Sequence, residues 1–381
     1  MSREITTSHL SIPQSELDDL RQRLSRVRWP APETVDDNSQ GPRLPKLQAL
    51  AARWRDGYDW RRAEALLNGF EGYRTDIDGL GIHFLHIRSP EPDALPLVMT
   101  HGWPGSVLEF RHVIGPLTDP VAHGGEARDA FHLILPTLPG FGFSDKPTRT
   151  GWNVERIADA WIELMGRLGY ARWAAQGGDW GAAVTAAIGH KAPPGLVGIH
   201  LNMVMFEPTE EERANATPHE QQMLDRGALY DDWFSGYSKL QSTRPQQVGF
   251  GLADSPVGLA AWLYNFIQDA AQHDGDVEDA LALDELIDNV MMYWLPNCGA
   301  SAARLYWETN VAQQAAPPLQ PARTGISVFP YELGGISRRW AEARFADIVH
   351  FNELDRGGHF AAWEVPDLFV DEVRKTFRFA R

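Results

Sequence analysis

The sequence predicts an α/β fold in which a mostly parallel sheet carries an inserted helical cap and an N-terminal helical arm. Apolar, strand-like runs alternate with helix-like segments over residues 71–205, an order typical of a parallel sheet. Near residue 206 the strand signal stops, and helical sequence rich in Trp and Tyr continues to residue 319. We therefore predict an arm (1–70), a first core part (71–205), a cap (206–319) and a second core part (320–381).

Composition and charge exclude several classes of protein. Of 381 residues, 43% are hydrophobic and 23% charged, as in ordinary globular proteins. A net charge of -16 disfavours nucleic acid and anionic membranes as partners. Cys298 is the only cysteine, so neither an intramolecular disulfide nor a cysteine metal site can form, and we expect no metal or other cofactor. No apolar run starts at residues 1–4, and we therefore expect a cytoplasmic protein without a membrane segment.

The arm has two regions of helical character. Residues 13–29 place apolar side chains at helical spacing, with Ser15 as a plausible N-cap and Pro30 as the stop. Residues 46–67 contain the aromatic anchors Trp54, Tyr58 and Trp60. We expect this arm to pack on the core.

Strand and helix signals then alternate along the core. A two-residue period over 73–77 and 82–87 predicts a hairpin. Buried strands are predicted at 95–100, 131–136, 172–176, 196–201, 325–329 and 348–351. Helices are predicted at 154–168 and 366–379.

The stretch Gly177-Gly178-Asp179-Trp180-Gly181 follows one of these strands and precedes an alanine-rich helix. It has the G-x-S-x-G pattern of the nucleophile elbow, with Asp in the position of Ser, and it predicts the α/β-hydrolase fold. An Asp before a helix is otherwise an ordinary N-cap. A carboxylate attacking an ester or amide would form an anhydride that reverts, whereas attack on an epoxide or halide carbon forms an alkyl ester that water can hydrolyse.

The chain beyond the cap offers the partners that such a nucleophile needs. His359 follows the last predicted strand and two glycines, where it could deprotonate the hydrolytic water. Glu332 follows the strand at 325–329, the place for a carboxylate that orients the imidazole. Asp355 and Glu353 are competitors for this second role, and the sequence leaves the choice open.

The hydrolysis step also needs two donors to an oxyanion. One is the backbone N–H of Trp180, the residue after the nucleophile. The other is expected in the segment His101-Gly102-Trp103-Pro104-Gly105-Ser106, which follows the strand at 95–100. We assign it to the N–H of Trp103, since Pro104 has none.

The leaving group distinguishes the two reactions that an Asp nucleophile at this turn can catalyse, epoxide opening and halide displacement. A halide leaves without a proton, whereas an opening epoxide becomes an alkoxide that needs a proton donor. The predicted cap offers five tyrosines for this purpose: Tyr230, Tyr237, Tyr264, Tyr293 and Tyr306. Residue type alone does not choose among them, because most buried tyrosines serve packing.

These motifs resemble the epoxide hydrolases of the microsomal type along nearly the whole chain. The matching stretches are Trp29-Pro30, 54–60, HGWPGS, GGDWG, 235–237 with 241–245, 254–261, 329–332 and 356–362. The resemblance implies Asp179 as nucleophile, His359 as base, Glu332 as its acid partner, and Tyr237 and Tyr306 as the pair that protonates the epoxide.

The resemblance also implies the partners. These are a small-molecule epoxide and water, and a homodimer is compatible with it. The mammalian members begin with a membrane anchor, whereas this chain starts at the arm and so resembles soluble bacterial relatives. Some of those act on bulky aromatic epoxides in natural-product biosynthesis. Two alternatives are a haloalkane dehalogenase with the same Asp nucleophile and a non-catalytic ligand-binding protein of the same fold.

Overall fold

The computed structural model describes residues 4–312 and 319–381. In these residues nine strands form one sheet, in the order β1-β2-β3-β5-β4-β6-β7-β8-β9. The strands are β1 (Thr6–Thr7), β2 (Gly72–Ile77), β3 (Leu80–Ile87), β4 (Leu95–Thr100), β5 (Phe131–Pro136), β6 (Trp173–Gly177), β7 (Leu196–Leu201), β8 (Gln320–Val328) and β9 (Phe345–Glu353).

The sheet is mostly parallel, which confirms the prediction. The pairs β1–β2, β2–β3 and β3–β5 are antiparallel, and all pairs from β5 to β9 are parallel. The predicted hairpin is formed by β2 and β3. Thr100 at the end of β4 lies opposite Gly177 at the end of β6, so the loops that follow these two strands are neighbours. This register brings distant sequence motifs to one edge of the sheet.

Sixteen α-helices accompany the strands in the described ranges. They are α1 (Gln14–Ser25), α2 (Leu44–Asp56), α3 (Trp60–Gly69), α4 (Ile114–Thr118), α5 (Val154–Arg167), α6 (Asp179–Lys191), α7 (Glu210–Ala214), α8 (Pro218–Leu229), α9 (Gly236–Thr243), α10 (Pro245–Asp254), α11 (Pro256–Ala270), α12 (Leu283–Trp294), α13 (Gly299–Val311), α14 (Arg338–Glu342), α15 (Ala361–Glu364) and α16 (Pro366–Phe377). Helices α7 to α13 lie between β7 and β8, where the cap is predicted. Residues 313–318 of that predicted segment lie outside the described residues.

The arm differs from the prediction in its helix limits. Pro13, not Ser15, occupies the N-cap of α1, and Ser15 lies inside the helix. The helix ends at Ser25, whose hydroxyl donates to the carbonyl of Gln22 and competes with continuation of the helix. The second helical region is two helices, because the chain breaks after α2 and Asp59 caps α3 by accepting from the N–H of Arg61.

The arm contacts both the core and the inserted helices. Strand β1 pairs with β2 of the core sheet, and α1 to α3 lie against α11 and α12. A buried carboxylate anchors this contact: Asp288 of α12 accepts from the Tyr58 hydroxyl at 2.7 Å and from Arg62 at 2.9 Å. Asp288 also accepts from Arg111 of the core at 2.7 Å. Arm, inserted helices and core thus meet at one buried carboxylate.

Candidate active site

Asp179 lies at the sharp turn between β6 and α6. Its φ is +50°, a left-handed conformation that is strained for a residue other than glycine. Helix α6 begins so close to β4 that a Cβ added at Gly181 would lie 1.8 Å from the carbonyl oxygen of Thr100. Glycine is therefore required there, and the turn holds the Asp179 carboxylate at the carboxyl edge of the sheet.

One backbone amide donates to this carboxylate, and a second belongs to the residue that follows Asp179 in the chain. The N–H of Trp103, in the loop after β4, donates to Oδ1 of Asp179 at 2.7 Å. Trp180 is in the first turn of α6, where backbone N–H groups have no acceptor within the helix. The loop of Trp103 is tied to α12 from the other side: Asn289 donates to the carbonyl of Pro104, and Tyr293 to that of Gly105, both at 2.7 Å. The inserted helices therefore hold the loop that carries the first donor.

His359 lies between two carboxylates. Its Nε2 is 3.3 Å from Oδ2 of Asp179, and its Nδ1 is 2.7 Å from Oε1 of Glu332. A β-bridge between Tyr331 and Gly358 aligns the two loops that carry His359 and Glu332. The structure therefore brings together the three residues that the sequence singled out as nucleophile, base and acid.

The two competing carboxylates lie elsewhere. Glu353 is exposed and pairs with His219 at 2.8 Å, and Asp355 is also exposed. Glu332, by contrast, is 1% exposed and also accepts from the N–H of Leu333 at 2.8 Å. The geometry therefore favours Glu332 as the partner of His359.

The surroundings of His359 favour its protonated form in this unliganded state. Burial by itself lowers the pKa of the imidazole, but the Glu332 and Asp179 carboxylates outweigh it and hold the pKa of His359 well above its usual value. His101, in the Trp103 loop, shows the opposite case: burial lowers its pKa to about 4. Its Nε2 accepts from the N–H of Leu138 at 3.2 Å, so this histidine has a structural contact.

Tyr237 and Tyr306 are held by the two tryptophans whose amides lie near Asp179. The ring of Tyr237 stacks on Trp103 at 4.7 Å between centroids, and the ring of Tyr306 meets Trp180 edge-on at 4.7 Å. Both tyrosines line a cavity that also contains Asp179. Burial raises the pKa of each phenol well above its usual value, and the nearby Asp179 carboxylate raises it further. Both hydroxyls are therefore neutral and able to donate a proton.

The structure also distinguishes the other three tyrosines. Tyr293 donates to the Gly105 carbonyl and Tyr264 to Glu278, so both hydroxyls are engaged away from the cavity. Tyr230 lines the cavity, and its hydroxyl lies 2.9 Å from that of Tyr237. Sequence reasoning did not choose Tyr230, although a spacing of seven residues from Tyr237 would place both on one helical face.

The cavity beside Asp179 has a volume of about 660 Å³. Its wall is largely apolar, with Met203, Val204, Phe206, Met223, Leu224 and Trp340 among the lining residues. Volumes of this order accommodate small organic ligands. A hydrophobic molecule placed here would share the cavity with Asp179, Tyr237 and Tyr306.

The described residues lack two kinds of feature. In residues 4–312 and 319–381 no helix is long and apolar enough to cross a membrane. The same residues contain no group of three or more His, Cys, Asp or Glu side chains arranged to hold a metal ion.

Comparison with known proteins identifies the family. Residues 5–110 match the model of the epoxide hydrolase N terminus, and residues 96–252 match that of the α/β hydrolase fold. A protein of Stigmatella aurantiaca assigned to the epoxide hydrolases is 55% identical over 99% of this chain and 86% of its own length. Epoxide hydrolase 1 of Sus scrofa is 32% identical over 94% of this chain and 86% of its own length.

A solved structure agrees with these matches. The structure of an Aspergillus niger epoxide hydrolase superposes with a TM-score of 0.89 at 27% identity, covering 99% of this chain and 97% of that one. This agreement confirms the predicted α/β-hydrolase fold. The chain therefore belongs to the epoxide hydrolases and is a hydrolytic enzyme of that family.

Proposed function

We propose that this enzyme converts a hydrophobic epoxide to a vicinal diol through an alkyl ester on Asp179. The proposal rests on the different contacts that the two carboxylate oxygens of Asp179 make. Oδ1 accepts from the N–H of Trp103, whereas Oδ2 lies 3.3 Å from Nε2 of His359 and accepts from no backbone N–H of the described residues. Oδ2 is therefore the oxygen that attacks, and Oδ1 becomes the carbonyl oxygen of the ester.

In the first step Oδ2 bonds to an epoxide carbon and the carbon–oxygen bond of the ring breaks. The departing oxygen takes a proton from Tyr237 or Tyr306, whose neutral hydroxyls share the cavity with Asp179. The hydroxyls of Tyr230 and Tyr237 lie 2.9 Å apart and either can donate to the other, so once Tyr237 has lost its proton Tyr230 donates to the phenolate that remains. A halide leaves without a proton, whereas an opening epoxide needs a proton donor. The presence of these tyrosine hydroxyls therefore favours an epoxide as the substrate.

In the second step water attacks Cγ of the ester. Esterification removes the negative charge of Asp179, one of the causes that raise the pKa of His359, so the imidazolium releases its proton and the tyrosine phenolate left by the first step regains one. The neutral Nε2 can then accept a proton from water. The resulting oxyanion at Oδ1 is stabilised by the N–H groups of Trp103 and Trp180. Collapse breaks the bond between Cγ and Oδ2, and His359 returns the proton to the diol oxygen.

The cavity supports the substrate class that we propose. About 660 Å³ of largely apolar space beside Asp179 suits an aryl-bearing epoxide of the size of styrene oxide or cis-stilbene oxide. Trp180 and Tyr306 offer aromatic surfaces near the reacting carboxylate. A place in natural-product biosynthesis stays a prediction from the resemblance.

The test is a single turnover of styrene oxide in ¹⁸O-labelled water, followed by mass spectrometry of the diol and of the peptide containing Asp179. We expect unlabelled diol in the first turnover and label in Asp179, because the diol oxygen comes from Oδ2. Label entering the first diol directly would refute the ester.

Variants separate the two steps. Asp179→Asn should abolish diol formation in freshly purified protein, and His359→Gln should accumulate an alkyl-enzyme visible by intact mass. Asp225→Asn, a change at an exposed carboxylate of α8, is the matched control and should behave as the unmodified enzyme.

A further inference from the structure

A second, much smaller cavity lies on the His359 side of Asp179. It offers about 10 Å³ for the centre of a water molecule, which is enough for one water. Gly102, Trp103, Glu109, His359 and Phe360 are among the residues that line it. Asp179 lines both this cavity and the large one, whereas His359 lines only the small one. The base therefore faces a compartment separate from the one proposed for the epoxide.

Glu109 is the feature of this small cavity that the proposed reaction has not used. It lies in a turn, Val107–Phe110, that follows the Trp103 loop. Its carboxyl lies against Gly105, where an added Cβ would be 1.9 Å from Oε2. Burial raises the pKa of Glu109 well above its usual value and outweighs the opposing effect of His359, and the Asp179 carboxylate raises the pKa further, which favours the neutral carboxyl.

Glu109 is partly buried, and within the described part of the chain its carboxyl accepts no hydrogen bond from a side chain or a backbone N–H. A carboxyl inside a protein is ordinarily paired with a protein group or with ordered water. Here the carboxyl borders a cavity of the size of one water molecule. The combination indicates a bound water as its partner.

We propose that Glu109 and His359 together bind the hydrolytic water of the second step in this small cavity. The inference rests on the proposed ester mechanism and adds a residue to it. One water hydrogen is donated to Nε2 of His359 and the other to the carbonyl oxygen of Glu109, so that a lone pair of the water oxygen is directed at Cγ of Asp179. As the new carbon–oxygen bond forms, the first hydrogen transfers to Nε2, while the hydrogen held by Glu109 stays on the water oxygen.

This arrangement assigns the two half-reactions to opposite sides of Asp179. The epoxide reacts in the large cavity with the tyrosines, and water reacts from the small cavity with Glu109 and His359. A change at Glu109 should therefore slow ester hydrolysis and leave alkylation nearly unchanged. A residue that only supported the fold would impair both steps together.

The test measures the two steps separately with styrene oxide. Alkylation is followed by rapid-quench intact mass, and hydrolysis by decay of the adduct after a single turnover. For Glu109→Leu and Glu109→Asp we expect alkylation within about 2-fold of the unmodified enzyme and hydrolysis slowed on the order of 100-fold, the cost of misplacing a reactant by about 1 Å. Glu109→Gln keeps a carbonyl acceptor in place and should stay closer to the unmodified enzyme.

The controls distinguish the possible failures. Glu126→Gln, at an exposed glutamate, should leave both rates unchanged. Unchanged hydrolysis in both Glu109→Leu and Glu109→Asp, or an equal fall in the two rates, would overturn the assignment of Glu109. Absence of any adduct in the unmodified enzyme and in His359→Gln would instead overturn the ester mechanism itself. Should Glu109→Leu fail to fold, Glu109→Asp carries the test.

Discussion

The carboxylate of Asp288 offers a direct test of how the arm, the inserted helices and the core are joined. Its side chain is 0% exposed and lies 2.7 Å from Arg111, whose side chain is 4% exposed. Arg62 and the Tyr58 hydroxyl bind the same carboxylate from the arm. Replacing Asp288 by Ala removes the acceptor from all three donors at once.

The magnitude follows from the buried guanidinium that remains. Breaking a buried ion pair from one side costs about 3–5 kcal/mol, because the other charge is left in the interior without a partner. Glu285 lies 3.6 Å from Arg111 and compensates part of that charge, which places the loss at about 3 kcal/mol, the lower end of the range. We expect Asp288→Ala to reduce the free energy of unfolding by that amount.

The same helix provides a matched control. Asp284 also joins α12 to the arm, through an ion pair with Arg53 at 2.7 Å, but the two side chains are 31% and 44% exposed. Exposed pairs contribute about 1 kcal/mol or less, so Asp284→Ala should have a small effect. Urea unfolding followed by tryptophan fluorescence and far-UV circular dichroism would measure both. Losses that differ by less than about 1 kcal/mol would refute the role given to burial.

Three further predictions concern the active site. Tyr237→Phe and Tyr306→Phe should each slow alkylation, and the double variant by roughly 100-fold or more, the usual contribution of a general acid; an unchanged single-turnover alkylation rate would remove both from the mechanism. Tyr230→Phe deletes one hydrogen bond to Tyr237 and should slow alkylation about 5-fold, corresponding to about 1 kcal/mol, with hydrolysis of the adduct unchanged. An effect as large as that of Tyr237→Phe would mean that Tyr230 itself donates the proton to the epoxide oxygen. The folded-state pKa of His359 lies well above 6.5, so the stability lost in His359→Gln should be largest below pH 6.5 and should diminish as the pH rises through that higher pKa. Urea unfolding at several pH values measures this loss of stability. A loss that grows with pH would contradict the expected direction.

The sequence by itself determined the fold class, the order of the strands along the chain and the candidate nucleophile. These are local signals: apolar runs of strand length, glycines at a sharp turn, and an Asp at one position of a short motif. The sequence also limited the possible positions of the general base and of the oxyanion donors to short loops, because parallel strands place their carboxyl ends at one edge of the sheet. His359 and the Trp103 loop could be named for this reason before any distance was known.

Tertiary structure decided what depends on contacts between distant segments. The choice of Glu332 over Glu353 and Asp355 required the alignment of two loops, and the choice among five tyrosines required knowing which hydroxyls are engaged elsewhere. The contacts of α1 to α3 with α11 and α12 also depended on tertiary structure, since an amphipathic helix shows that it buries one face but not against which element. Glu109 gave no signal in the sequence: a glutamate is ordinarily solvated, and only the packing of the chain places this one, without a protein partner, beside a water-sized cavity at the nucleophile.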